Sequence, residues 1–444
     1  MPTKTASRLY QLTPKHRENT MQKNATCLAL AGLLTMGLLP NSEAAAGENP
    51  VPLFEVSGDA RASLEDMKSE SDADIFTRLR VQAQVNPTEN ISLTGRVHLS
   101  KFFDSEYQDD DNFWIDRMFL NWNDIAATSF SLQAGRLPTM EGGPAYLRLG
   151  LDKPQGSLSP FTDFALDGVM LGYKYTQPWS GSIYLYYGTQ FDVGYESNES
   201  DHDFTGSLAY KTLKGTDIYG LNWILLQQEP RVLSLQSFLF ADLYNLREDF
   251  QLNYGLGQIT FPRENLGDLY HTAVTYQDQW HNLNGFVSLG WSHTNPSGYD
   301  DFGAGLLSGS SGNPEAEDGV AIYAGVRYDF ADLHSKVGLE YNYGSKYWVN
   351  FSQDFDTKKL STRGSVLEGY WIFSPLLPQA VAGPVKDFRI RLGYQYYWYE
   401  YTGSGLFLGE PLDIDEIKAD PLLSQFYNPP EHDYKLYASI DFRF

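Results

Sequence analysis

From Tyr434 to the last residue the chain alternates without a break. Tyr434, Leu436, Ala438, Ile440, Phe442 and Phe444 are apolar, and Lys435, Tyr437, Ser439, Asp441 and Arg443 fall between them. A period of two sorts side chains onto the two faces of a β-strand, one suited to lipid and one to water. The stretch 74–86 repeats the pattern, with Ile75, Thr77, Leu79, Val81, Ala83 and Val85 on one face and Phe76, Arg78, Arg80, Gln82 and Gln84 on the other. Alternation and turn signals together predict sixteen strands, at 52–63, 74–86, 90–103, 112–122, 128–137, 164–175, 181–190, 216–228, 231–246, 268–280, 283–294, 319–330, 335–349, 361–373, 386–401 and 433–444. Short connections such as Asn86-Pro87-Thr88-Glu89, Glu229-Pro230 and His281-Asn282 alternate with long ones, the segment from Ser374 to Val385 being the long exception on the short side. An even-stranded antiparallel meander of this kind is the layout of a transmembrane β-barrel with periplasmic turns and external loops.

Composition agrees with an all-β barrel and excludes a bundle of membrane helices. The chain is 15% aromatic with 30 Tyr and 39 Gly, its mean hydropathy is -0.38, and no apolar run outside the leader approaches the length of a spanning helix. Residues 1–20 lack any pattern and read as a mis-called start. Residues 21–46 read as a signal peptide, with Lys23 in the n-region, an apolar core from Ala25 to Leu39, and small residues Ala44-Ala45-Ala46 before Gly47. The barrel is then 47–444. The single cysteine, Cys27, falls in the leader, so disulfide and thiol chemistry are not expected of the exported chain. Without residues 1–46, which hold five basic and two acidic residues, the net charge falls from -23 to -26, unsuited to nucleic acid. Almost all of it lies in five long segments, 64–74, 104–112, 192–203, 299–318 and 409–433, which carry 27 acids against Lys68 and Lys418. That places an acidic rim on the outside. Neither Asp109-Asp110-Asp111 nor Asp413-Ile414-Asp415-Glu416 has calcium-loop spacing. The loop 138–163 is different: rich in Gly and Pro, it carries Glu141, Arg148, Asp152 and Lys153 and is expected to fold inward as a constriction.

Charges inside the strands indicate which face is the lumen, because Arg or Lys facing lipid at mid-depth costs about 2–4 kcal/mol. The rule turns Asp59, Arg61, Arg78, Arg80, Arg96, His98, Arg117, Asn121, Arg389, Arg391, Gln395, Lys435, Asp441 and Arg443 inward. If the last strand closes on the first, their bases make one arc: Arg61, Arg78, Arg80, Arg96, Arg117, Arg389, Arg391, Lys435 and Arg443. Arg327, Asp329, Lys336, Glu340, Lys346 and Glu368 make a more mixed facing wall. A wall of Arg and Lys lowers the barrier to anions, and opposed acids set a transverse field. The ladders Tyr394-Tyr396-Trp398 and Tyr341-Tyr343-Tyr347 are assigned to the aromatic girdles at the membrane interfaces.

The stretches IDRMFLNW (115–122), AGRLP (134–138), FALDGVMLGYKY (164–175), GLEYNYGSKYW (338–348) and LGYQYYWYEYTGSG (392–405) resemble a family of uncharacterised bacterial outer-membrane proteins, defined as a domain of unknown function. GSKYW and YTGSG are the most specific parts. The resemblance implies a bacterial outer-membrane barrel with porin-like function, hands over no catalytic or ligand residue, and makes Phe444 a tag for the barrel-insertion machinery. Further partners are outer-membrane lipid and lipopolysaccharide, small hydrophilic solutes and other copies of the chain; no cofactor or metal is expected. The leading function is therefore passive diffusion of small hydrophilic, anion-favoured solutes. A hydrolase would need a nucleophile, base and orienting acid at one site. His271 and His293 fall on opposite faces, and neither HExxH nor GxSxG occurs. A scaffold, adhesin or sheath for an electron-transfer partner is the other alternative, and the absence of CxxCH excludes a c-type haem bound by the chain itself.

Overall fold

The computed structural model describes residues 52–68, 73–103, 111–138, 165–190, 216–228, 230–244, 250–254, 257–261, 264–299, 303, 305–309, 314–350, 359–376, 385 and 387–444. In chain order the strands are β1 (Phe54–Met67), β2 (Asp74–Thr88), β3 (Ile91–Phe103), β4 (Asp111–Trp122), β5 (Phe130–Pro138), β6 (Ala165–Tyr175), β7 (Gly181–Gln190), β8 (Asp217–Gln228), β9 (Arg231–Tyr244), β10 (Phe250–Tyr254), β11 (Gly257–Phe261), β12 (Asn265–Trp280), β13 (Leu283–Pro296), β14 (Asp318–Phe330), β15 (Ser335–Gly344), β16 (Gly364–Phe373), β17 (Asp387–Tyr399) and β18 (His432–Arg443). Every strand but β10 and β11 enters one closed antiparallel barrel, in which β9 pairs with β12, so the barrel has the sixteen strands expected from alternation. Closure is by β1 on β18, in register from Asp59 opposite Arg443 to Met67 opposite Lys435. A closed sheet leaves no edge, so every strand's amides and carbonyls find partners without water.

The exterior is apolar. Leu64, Leu93, Leu185, Leu289, Val326, Leu339, Leu392 and Ile440 are exposed on it, and aromatic residues stand near the strand ends: Trp122, Phe130, Tyr173, Trp280 and Phe330 by the short turns, Tyr219, Trp291, Tyr341 and Trp398 toward the long loops. In water such a surface would be a severe aggregation liability, whereas in a bilayer it is solvated. The protein is accordingly a transmembrane barrel of the bacterial outer membrane.

Inside, the side chains pack. Phe119, Leu137, Leu166, Met170, Tyr186, Ile218, Phe238, Phe240, Leu266 and Leu269, on the inner face of β4 to β9 and β12, form one cluster with Leu306, Leu307, Val349 and Phe407 from connections on the long-loop side. Below it, toward the short turns, the same wall is neutral and polar: Asn222, Ser234, Gln236, Thr275, Gln277 and Ser288 are all buried.

Several elements differ from the alternation. The strand expected at 335–349 stops at Gly344, because Trp348 turns into the barrel and its indole N–H donates to the Leu360 carbonyl at 2.6 Å. The strand expected at 361–373 starts at Gly364, whose φ of +129° breaks the strand geometry, after a short turn at Lys359–Ser361. β1 runs on to Met67, so Glu65 is a wall residue rather than part of an acidic loop. The β10–β11 hairpin lies where the alternation predicts only a connection.

Candidate functional site: the charged lumen and its inserted connections

Inward alternation on six neighbouring strands, β17, β18 and β1 to β4, produces the basic arc's geometry. Arg61 donates from Nε to Asp441 at 2.6 Å. Arg80 grips both oxygens of Asp59 through Nε at 2.9 Å, and Arg78 lies 3.6 Å from the same carboxylate. Arg96 is opposite Gln82 on one side and Arg117 on the other; Arg96 is buried and Arg117 half-buried. Arg389 pairs with Asp387, and Lys435 with Glu65. Arg391 reaches Glu368 at 3.2 Å and Tyr437 OH at 2.8 Å. Arg443 differs: it sits at the very end of β18 and is exposed, beyond the buried part of the arc. Carboxylates are threaded among these bases, so the wall is a braced ion network rather than a bare row of cations.

On the facing wall, Arg327 donates to Asp329 at 2.7 Å, and Lys336 lies 3.3 Å from the same acid. Glu340 and Glu368, from β15 and β16, are register partners and almost fully buried. Lys346 is not on this wall. It follows the end of β15, lies 3.4 Å from Glu410 and sits over the Tyr347 ring, because the chain has already left the strand. Tyr347 follows it and packs on the luminal cluster instead of the girdle, whereas Tyr341, Tyr394 and Trp398 are exposed on the exterior. Glu141, Arg148, Asp152 and Lys153 fall outside the described residues. Asp433, counted with an acidic loop, is buried. Asp413 caps a short helix, α1 (Ile414–Ala419), accepting from the amides of Asp415 and Glu416 at 2.9 and 3.2 Å, which is a helix N-cap. Phe444 joins the seam, exchanging backbone hydrogen bonds with Gly58 at 3.0 and 3.1 Å, and its ring occupies the space a Cβ on Gly58 would need.

Residues that alternation did not single out hold the inserted connections together. Trp348 packs on Gly290, where a Cβ would stand 2.4 Å from the indole, and 5.3 Å from the His271 ring. Arg363 is buried and donates to the carbonyls of Trp348 (3.3 Å), Thr402 (3.0 Å), Gly403 (2.6 Å) and Leu406 (2.5 Å). Burial lowers its guanidinium to about 9, above neutrality, so it keeps its charge at physiological pH. Lys359 reaches Glu340 and Glu368. The signal available for these residues was the pair of segments GSKYW and YTGSG. They supply Trp348, Thr402 and Gly403, and Ser404, whose hydroxyl accepts from the Arg363 amide at 3.0 Å. Farther out, Lys418 donates to Glu431 at 2.6 Å, and that bond holds the Glu431 carboxyl below its ordinary range.

Fold and lumen together define an outer-membrane β-barrel with a charged, partly filled interior. The chain belongs to the family described as a protein of unknown function, DUF3373, whose model matches residues 103–444. No curated protein matches it in sequence. Among solved structures it is similar to in-vitro folded OmpT of Vibrio cholerae in its trimer form, at 13% identity and a TM-score of 0.45, covering 88% of this chain and 99% of that one. It is also similar to Salmonella typhi OmpF in complex with daunomycin, at 11% identity and a TM-score of 0.46, covering 88% and 97%.

Proposed function

We propose that the barrel is a channel for passive diffusion of small hydrophilic solutes with a preference for anions, and that it is not an enzyme. The observation that carries this reading is the cluster of bases on β17, β18 and β1 to β4. Arg61 pairs with Asp441, Arg78 and Arg80 lie against Asp59, and Arg96 and Arg117 are register partners on β3 and β4, while the acids Glu340 and Glu368 belong to β15 and β16. A positive sector with acids beside it favours an anion along one side of the lumen. On this reading residues 21–46 are the export signal, 47–444 the barrel, 138–163 a further narrowing, and Phe444 the insertion tag. Lipopolysaccharide and other copies of the chain are its neighbours in the membrane. Purified barrel in a planar bilayer is expected to show single-channel steps and a reversal potential on the anion side. Arg78→Glu, Arg80→Glu and Arg96→Glu together should move that potential toward cations. Silence at every voltage would refute the channel, and an unmoved potential would refute the arc.

The luminal cluster favours a second reading, a barrel that serves as scaffold or sheath, since an apolar core on the inner face of β4 to β9 and β12 is a fitting feature of a filled lumen. That alternative predicts no conductance and co-purification with a partner protein.

A further inference from the structure

Five successive strands each contribute one inner side chain to a single point in the wall. Tyr323, Glu340, Glu368, Arg391 and Tyr437 come from β14, β15, β16, β17 and β18. Lys359, from the turn ahead of β16, places its Nζ among them, 2.5 Å from Glu340 Oε2, in contact with Glu368 Oε2, and 4.8 Å from the centroid of the Tyr323 ring. Lys359 and Glu340 are each 2% exposed and Glu368 is 0% exposed.

The carboxylates have wall partners besides the lysine. Tyr323 OH donates to Glu340, while Tyr437 OH at 2.5 Å and Arg391 at 3.2 Å donate to Glu368 Oε1. The ammonium is one anchor of the turn beside two others: Asn342 Nδ2 donates to the Lys359 carbonyl at 2.5 Å and Trp348 to that of Leu360. Two oriented carboxylates and the face of a tyrosine are the chemistry that recognises a primary ammonium: strong acceptors for its N–H groups and a π-cloud for its charge. A quaternary ammonium has no N–H to offer and cannot approach an oxygen to 2.5 Å.

We propose that Glu340, Glu368 and the Tyr323 ring form an ammonium-binding site in the lumen wall, which the chain fills with its own Lys359. Truncating the lysine empties a site sized for a small primary alkylammonium, and filling it again restores the seating of the turn. The site stands whether or not the barrel conducts, because neither its geometry nor its test involves ion flow.

Leu360, 1% exposed beside Lys359, is the reporter. With Cys27→Ser and Leu360→Cys, the folded barrel is exposed to a water-soluble maleimide. Lys359→Ala is expected to raise the labelling rate at least about tenfold, equivalent to ~1.4 kcal/mol of lost seating, and Lys359→Arg to leave it low. Methylammonium chloride should slow labelling of the Lys359→Ala barrel with saturation, tetramethylammonium chloride at the same ionic strength should not, and adding Glu368→Gln should abolish the rescue. If Lys359→Ala does not fold alone, recovery of folded barrel with methylammonium and not with tetramethylammonium is the supporting result. An unchanged rate in Lys359→Ala, an equal response to the two salts, or no recovery with methylammonium overturns the proposal.

Discussion

Single side chains set how the connections lie in the barrel. Arg363 ties two separate segments together, 345–350 and 400–406, through the backbone carbonyls of Trp348, Thr402, Gly403 and Leu406. Hydrogen bonds to a charged donor contribute about 1.5–3 kcal/mol, and a buried acceptor left without one costs about 1–3 kcal/mol. Arg363→Met should therefore destabilise the barrel by about 2–4 kcal/mol, read from urea unfolding in lipid vesicles. Glu431 gives a pH signature. Its folded carboxyl is held low by Lys418, so the stabilising contribution is fully present above the ordinary carboxylate range of about 4.3 and is lost as pH falls through the folded value. Protection of the α1 amides against exchange, relative to their intrinsic rates at each pH, is expected to fall on acidification below about pH 4, and Lys418→Met should remove that dependence.

At the scale of strands, each element has two environments one residue apart, and the energetic penalties differ accordingly. Val326 is half exposed on the outside of β14, and Arg327 beside it is buried inside with Asp329. Val326→Arg should destabilise the barrel folded into vesicles by about 2–4 kcal/mol, whereas Arg327→Lys, retaining charge toward the lumen, should cost much less; equal losses would contradict the facing. The strands were legible because this contrast is written in every second residue. The ends of β15 and the start of β16 were not, since Tyr341-Asn342-Tyr343-Gly344 and Ser365-Val366-Leu367 keep a strand-like composition on both sides of the break. What stops β15 is a partner far away in sequence: Trp348 finds Gly290 on β13, and no local propensity reports that vacancy.

For the molecule as a whole, two kinds of interior compete. Burying a large apolar side chain is worth about 1.5–3 kcal/mol, while buried ion pairs often do no better than break even after desolvation. The cluster of Leu306, Leu307, Val349 and Phe407 on the strand wall thus supplies the net seating of the connections, and the Glu340–Lys359–Glu368–Arg391 network fixes where they sit. Phe407→Ala, which removes about 3–5 kcal/mol of packing, is expected to unseat that connection and raise single-channel conductance without reversing selectivity. If conductance fell or stayed the same, the apolar cluster would not be what narrows the passage.

Sequence by itself determined the class of fold and the number of barrel strands, because a period of two and the cost of a charge in lipid act locally on each strand. It also placed Arg61, Arg80, Arg391 and Glu368 on inner faces. Only the tertiary structure decided their partners, since Arg61 meets Asp441 across a closure that joins opposite ends of the chain, and Arg391 meets Tyr437 on the next strand, beyond a long connection. Only it could bring Lys359, Trp348 and Arg363 into the barrel, because a connection's path is set by the space the closed wall leaves open. That space is a property of all the strands at once, and no stretch of residues contains it.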